Sequence, residues 1–131
     1  METYTLYIER DTQGRYFAGD HDDEKLRVIA ELLLDNQARA GAQQLIDNTN
    51  QKSVIGHRFH FFREPHNTII AKLFKHEESL TEEDNPLIIE IDQTLLASLI
   101  EGWRDLMKVK PSQIILSRRH DQDLIHLMYK P

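Results

Sequence analysis

Apolar and polar residues recur along the chain with two periods, and the switch between them marks out its elements. From Thr3 to Glu9, Tyr, Leu and Ile alternate with polar neighbours, the spacing of a half-buried strand. Asp11-Thr12-Gln13-Gly14 has turn composition, and Arg15 to Ala18 is placed to return beside the first strand. The period then becomes helical: Leu26, Ile29, Ala30, Leu33 and Leu34 share one face. A second helical stretch carries Ala38, Ala42, Leu45 and Ile46 before the polar run Asp47-Asn48-Thr49-Asn50. A break near Asp35-Asn36 or Gly41 leaves open whether residues 21–50 form one bent helix or two.

Strand-like spacing resumes from Ser53 to Phe62, with Val54, Ile55, Phe59, Phe61 and Phe62. Glu64-Pro65-His66-Asn67 is a turn, and Thr68 to Phe74 is the expected return strand. A polar loop from Lys75 to Pro86 leads to the strand Leu87 to Ile91. Asp92 then stands as an N-cap before Leu95, Leu96, Leu99, Ile100, Trp103, Leu106 and Met107, one broad apolar helical face. Trp103 reads as a core anchor. Pro111 stops this helix, and Gln113–Ser117 and Leu124–Tyr129 predict a closing hairpin. The order ββ-α-ββ-β-α-ββ predicts an α+β fold: a largely antiparallel sheet with two or three helices packed on one face.

At 131 residues, with no linker and no internal repeat, the chain is expected to form one domain over 1–131. Sixteen Lys and Arg against twenty-two Asp and Glu give a net charge of −6, which excludes a uniformly basic nucleic-acid binder. Absence of cysteine excludes disulfides, thiolate metal sites and cysteine catalysis. No apolar run approaches the ~18 residues of a membrane span. The first residues lack the pattern of a signal peptide, so a cytoplasmic location without membrane contact is expected.

Seven histidines invite a test for metal or acid–base chemistry. His57 and His60, three apart in a strand, point to opposite sides and cannot share a metal without a bulge. His66 belongs to a turn, His76 precedes acids without an H-E-x-x-H pattern, and His120 sits at a hairpin tip. No phosphate-cradling glycine cluster or nucleophile elbow occurs. The expectation is therefore no catalytic residue, no metal and no cofactor. The alternative is a metal-free ribonuclease or small nucleic-acid binder using His57 or His60 with Arg58, Arg63 and Lys72 in the basic 51–76 hairpin.

Charge is distributed in blocks, and this changes the picture. Residues 51–76 hold five bases and one acid, whereas residues 77–101 hold eight acids and no base. Glu77, Glu78, Glu82, Glu83 and Asp84 place five carboxylates within eight residues, around Leu80. An ordered acidic surface steers a basic macromolecule at long range and can imitate the phosphates such a partner binds. These five are the candidate partner-binding residues. Asp22 and Asp23 either extend that surface or cap the first helix, where carboxylates oppose the helix dipole.

The segment Leu87-Ile88-Ile89-Glu90-Ile91-Asp92 is followed by the helix carrying Leu95-Leu96, Leu99-Ile100 and Trp103, and then by Lys110-Pro111-Ser112-Gln113-Ile114-Ile115-Leu116. Together these resemble the C-terminal part of small bacterial immunity proteins, which accompany contact-dependent growth inhibition toxins and related polymorphic toxins. The resemblance implies a non-catalytic cytoplasmic protein that binds a cognate toxin domain and occludes its active site; the acidic charge, taken with it, makes a basic nuclease the expected toxin. Toxin-binding residues vary among such proteins, so none is carried over. The candidate residues rest on charge alone.

Overall fold

The computed structural model describes residues 2–19, 21–74 and 85–131. The described residues form an α+β fold with eight strands in two antiparallel sheets and three helices. The first sheet runs β2 (Tyr16–Ala18), β1 (Thr3–Arg10), β7 (Gln113–Arg119) and β8 (His126–Lys130). The second runs β3 (Ser53–Ile55), β4 (Phe59–Glu64), β5 (Thr68–Leu73) and β6 (Leu87–Asp92). The single sheet expected from the strand pattern is thus divided in two, because β1 pairs with the distant β7 from Thr3↔Arg119 to Glu9↔Gln113.

Helix α1 (Glu24–Leu34) contacts β1, β2 and β7 of one sheet and β6 of the other. A helix apolar on several sides suits that position, and Leu26, Val28, Ile29, Ala30, Leu32 and Leu33 are all buried. The open question at residues 21–50 resolves into two helices. Asp35 has extended backbone geometry, closes α1 and caps α2 (Asn36–Asp47), its carboxylate accepting from the N–H groups of Gln37 and Ala38. Helix α2 packs on β3 and β4. Helix α3 (Gln93–Val109) begins at Asp92, whose side chain accepts from the Thr94 and Leu95 N–H groups as the sequence predicts.

The run from Ser53 to Phe62 is a hairpin of two strands, with Gly56, His57 and Arg58 between β3 and β4. Val54 and Phe61 face each other there, so the strand expected over Ser53–Phe62 is two strands, divided where Gly56-His57-Arg58 breaks the apolar pattern. Trp103 is buried, with the Tyr16 ring edge-on at 6.0 Å and the Arg39 guanidinium 5.8 Å from its ring centre. It anchors the core as expected.

Candidate functional site

Strand β6 alternates strictly, burying Ile89 and Ile91 and turning Glu90 and Asp92 outward. Beside that outward row lies an open cleft of about 390 Å3, lined by Lys25, Thr68, Glu90, Ile91, Asp92, Leu95, Asp123 and Leu124. Four parts of the fold build it: the edge of the second sheet, the first turn of α3, the segment between β7 and β8, and Lys25 at the start of α1. Among the described residues Lys25 is the one cation lining it, and it lies 3.1 Å from Asp123. Three carboxylates against one engaged ammonium leave the lining acidic. Leu124 adds an apolar side chain that is about half exposed. Such a lining suits a basic side chain with an aliphatic stem.

The cleft was only partly foreseeable. Glu90 and Asp92 fall in the acidic block, and their alternation with Ile89 and Ile91 places them on one face. Asp123 reads from sequence as a turn residue, and nothing local connects it with residues thirty positions earlier. Asp123 and the β6 carboxylates come to line one cleft only in three dimensions.

The acidic run Glu77, Glu78, Glu82, Glu83 and Asp84, expected to bind the partner, lies outside the described residues. Asp22 is exposed. Asp23 is buried at 8% exposure and caps α1 by accepting from the Leu26 N–H, the capping role among the two weighed for it. Its backbone N–H donates to His21 Nδ1 at 3.0 Å.

The basic, histidine-rich hairpin is dispersed by the fold. His60 and Lys72 are register partners on the outward face of β4 and β5, whereas His57 lies in the β3–β4 turn. Arg58 reaches Glu31 at 3.4 Å and the Phe74 carbonyl at 3.4 Å. Arg63 turns toward α2 and donates to the carbonyls of Gln51, Leu45 and Asn48 and to Gln93 Oε1. Its guanidinium acts as a structural clamp at that corner.

His76 lies outside the described residues. His66 adopts positive φ in the β4–β5 turn, and His126 is exposed on β8. His21 and His120 lie against the Tyr4 ring at 6.4 and 5.6 Å. Among the described residues no three His, Asp or Glu side chains converge to hold a metal ion, and no helix is long and apolar enough to cross a membrane. A smaller cavity of about 60 Å3 separates the start of α2 from the β3–β4 hairpin, walled largely by Ala38, Val54, Phe59 and Phe61.

No family model, no curated protein and no solved structure matches this chain. What the chain does must be argued from its own surfaces.

Proposed function

We infer that the protein is a non-catalytic binding protein of the immunity type, which occupies a basic partner, a nuclease toxin domain, and covers its phosphate-binding site. The acidic cleft between β6, α3 and the β7–β8 segment supports this reading most directly. Glu90, Asp92 and Asp123 supply carboxylates at the mouth of an open concavity, and Leu124 supplies an apolar contact beside them. An Arg or Lys of the partner entering there exchanges a phosphate for fixed carboxylates. The acidic run at 77–84 enters the chain just before β6 and adds negative charge to the same stretch of sequence. Steering by these charges speeds capture of the basic partner.

The test is a protection assay. Each open reading frame flanking this chain's own gene is expressed in bacteria, and one that is toxic by nuclease action is expected among them. Its toxic domain is then co-expressed with the chain. The unmodified chain is expected to restore growth. Replacing Glu90 with Gln, and Asp92 and Asp123 with Asn, should slow association with the purified toxin domain, most strongly at low salt. Asn is itself a good N-cap, so the start of α3 survives the change. Failure of the unmodified chain to protect, or association kinetics untouched by these substitutions and by neutralising Glu77, Glu78, Glu82, Glu83 and Asp84, would overturn the proposal. Cleavage of RNA by the purified chain, lost on replacing His57 and His60 with Ala, would favour the ribonuclease alternative.

A further inference from the structure

The carboxylates of the cleft are not equivalent, and the difference singles out one of them. Asp123 lies 3.1 Å from the Lys25 ammonium. The lysine is the sunken member of that pair, its side chain 13% exposed against 91% for the aspartate, so its charge belongs to the cleft wall and holds Asp123. Asp92 accepts both capping N–H groups of α3 on Oδ2, at 3.1 and 3.3 Å, which leaves Oδ1 open. Glu90 stands two residues before Asp92 on the same exposed row of β6. Among the described residues it has neither a hydrogen-bond nor an ion-pair partner.

A cation entering the cleft therefore finds its free acceptor in Glu90. Two open oxygens on one carboxylate match the planar fork of a guanidinium, which donates to both at once, whereas an ammonium is a compact point charge. Asp92 Oδ1 offers a further acceptor to a group with several N–H donors. The walls favour the same group. Ile91, Leu95 and Leu124 supply apolar surface, and a guanidinium, more weakly hydrated than an ammonium, loses less on being brought against it.

We propose that Glu90 is the receiving carboxylate of the cleft and that the partner side chain it takes is an arginine, held by both carboxylate oxygens with its stem along Leu95 and Leu124. The proposal rests on the reading that this cleft takes a basic side chain of a partner. It adds which side chain enters and which acceptor it meets.

The probes are blocked tripeptides Gly-Arg-Gly and Gly-Lys-Gly, equal in charge, titrated into the whole chain at low salt while backbone amide NMR signals are followed. Both should shift signals at Lys25, at Thr68 and at residues 90–95 and 123–124. The Arg peptide should bind about fivefold more tightly, the ratio expected of one additional hydrogen bond. Glu90→Gln, an exposed change of nearly constant shape, should remove that preference and leave both peptides equally weak. Asp123→Asn, which takes away the carboxylate that Lys25 already holds, should weaken both peptides alike and keep the ratio. Binding of neither peptide, equal affinities, a preference for Lys, a preference that survives Glu90→Gln or is lost in Asp123→Asn, or shifts centred elsewhere would each overturn the proposal. The protection assay separates this from the immunity reading. A chain that fails to protect but binds the Arg peptide at Glu90 refutes that reading alone, and one that protects but binds both peptides equally refutes the arginine alone.

Discussion

Arg118 in β7 grips Asp23, the residue that caps α1, across 95 positions of sequence. Its Nε donates to Oδ2 at 2.8 Å and its Nη2 to Oδ1 at 2.5 Å. The same carboxylate accepts from the Leu26 N–H at 3.1 Å, so one buried side chain both starts the central helix and ties it to the first sheet. The guanidinium also lies 5.2 Å from the centre of the Tyr4 ring and donates to the Gln122 carbonyl at 3.1 Å. Removing one member of such a pair leaves the other charge buried and unmatched. Arg118→Met should lower stability by about 3 kcal/mol, read from urea unfolding. Adding Asp23→Ala to it should cost less than the sum of the two single changes, and simple additivity would show that the pair is not coupled.

The same pair sets an acid response. Burial opposes ionisation of Asp23, but the Arg118 hydrogen bond, the Leu26 N–H and the Arg118 charge outweigh it and hold the carboxyl below its ordinary value. A carboxyl lowered in the folded state stabilises the fold above its unfolded value of about 3.9, and that contribution disappears as pH falls through the folded value. In that window the unfolded chain binds more protons, so unfolding free energy rises with pH. Urea midpoints measured downward from pH 5 should fall less steeply for Asp23→Asn than for the unmodified chain. Identical slopes would remove Asp23 from the account.

Arg63 closes the corner where α2, β4 and α3 meet. It donates to the Gln51 carbonyl at 3.0 Å, to Gln93 Oε1 at 2.6 Å, and to the carbonyls of Leu45 and Asn48 at the end of α2. A lysine has the charge but not the planar fork that satisfies several acceptors at once. Arg63→Lys should therefore destabilise by about 2 kcal/mol and speed amide exchange in the last turn of α2. A variant as stable as the parent would show that the clamp is incidental.

Lys110 ends α3 in the left-handed region, with φ 53° and ψ 61°. Its N–H reaches the Leu106 carbonyl, and its own carbonyl accepts from Arg10 at 2.6 Å. Glycine adopts this geometry without the steric cost borne by a side chain. Lys110→Gly should raise the urea midpoint by the equivalent of about 0.5–1 kcal/mol. A fall instead would mean that the lysine side chain contributes more than its backbone strain costs.

Gly102 decides how closely β8 approaches α3. A Cβ there would lie 2.9 Å from Leu127 Cδ2. Alanine meets only the end of a flexible side chain and gains helix propensity, whereas a branched side chain has no such escape. Gly102→Val should cost about 1–3 kcal/mol and loosen β8 before the second sheet, seen as faster exchange at residues 126–130.

The periods along the chain were enough to place helical stretches within residues 21–50, though not to divide them, the return strand from Thr68, and the cap and stop of α3. Those features depend on backbone geometry within a few residues: the outward Asp92 finds its N–H partners two and three positions on, and Pro111 cannot continue a helix wherever the chain folds. Even there the β3–β4 turn was not read, although Gly56, His57 and Arg58 interrupt the apolar positions between Ile55 and Phe59. Only the tertiary structure decided that β1 joins β7, that α1 is buried between two sheets, that Asp23 is held by Arg118, and that Glu90, Asp92 and Asp123 share one cleft. Local pattern says which face of an element is apolar but not which distant face will cover it. A charge acquires its role from burial and from partners that sequence separation does not reveal.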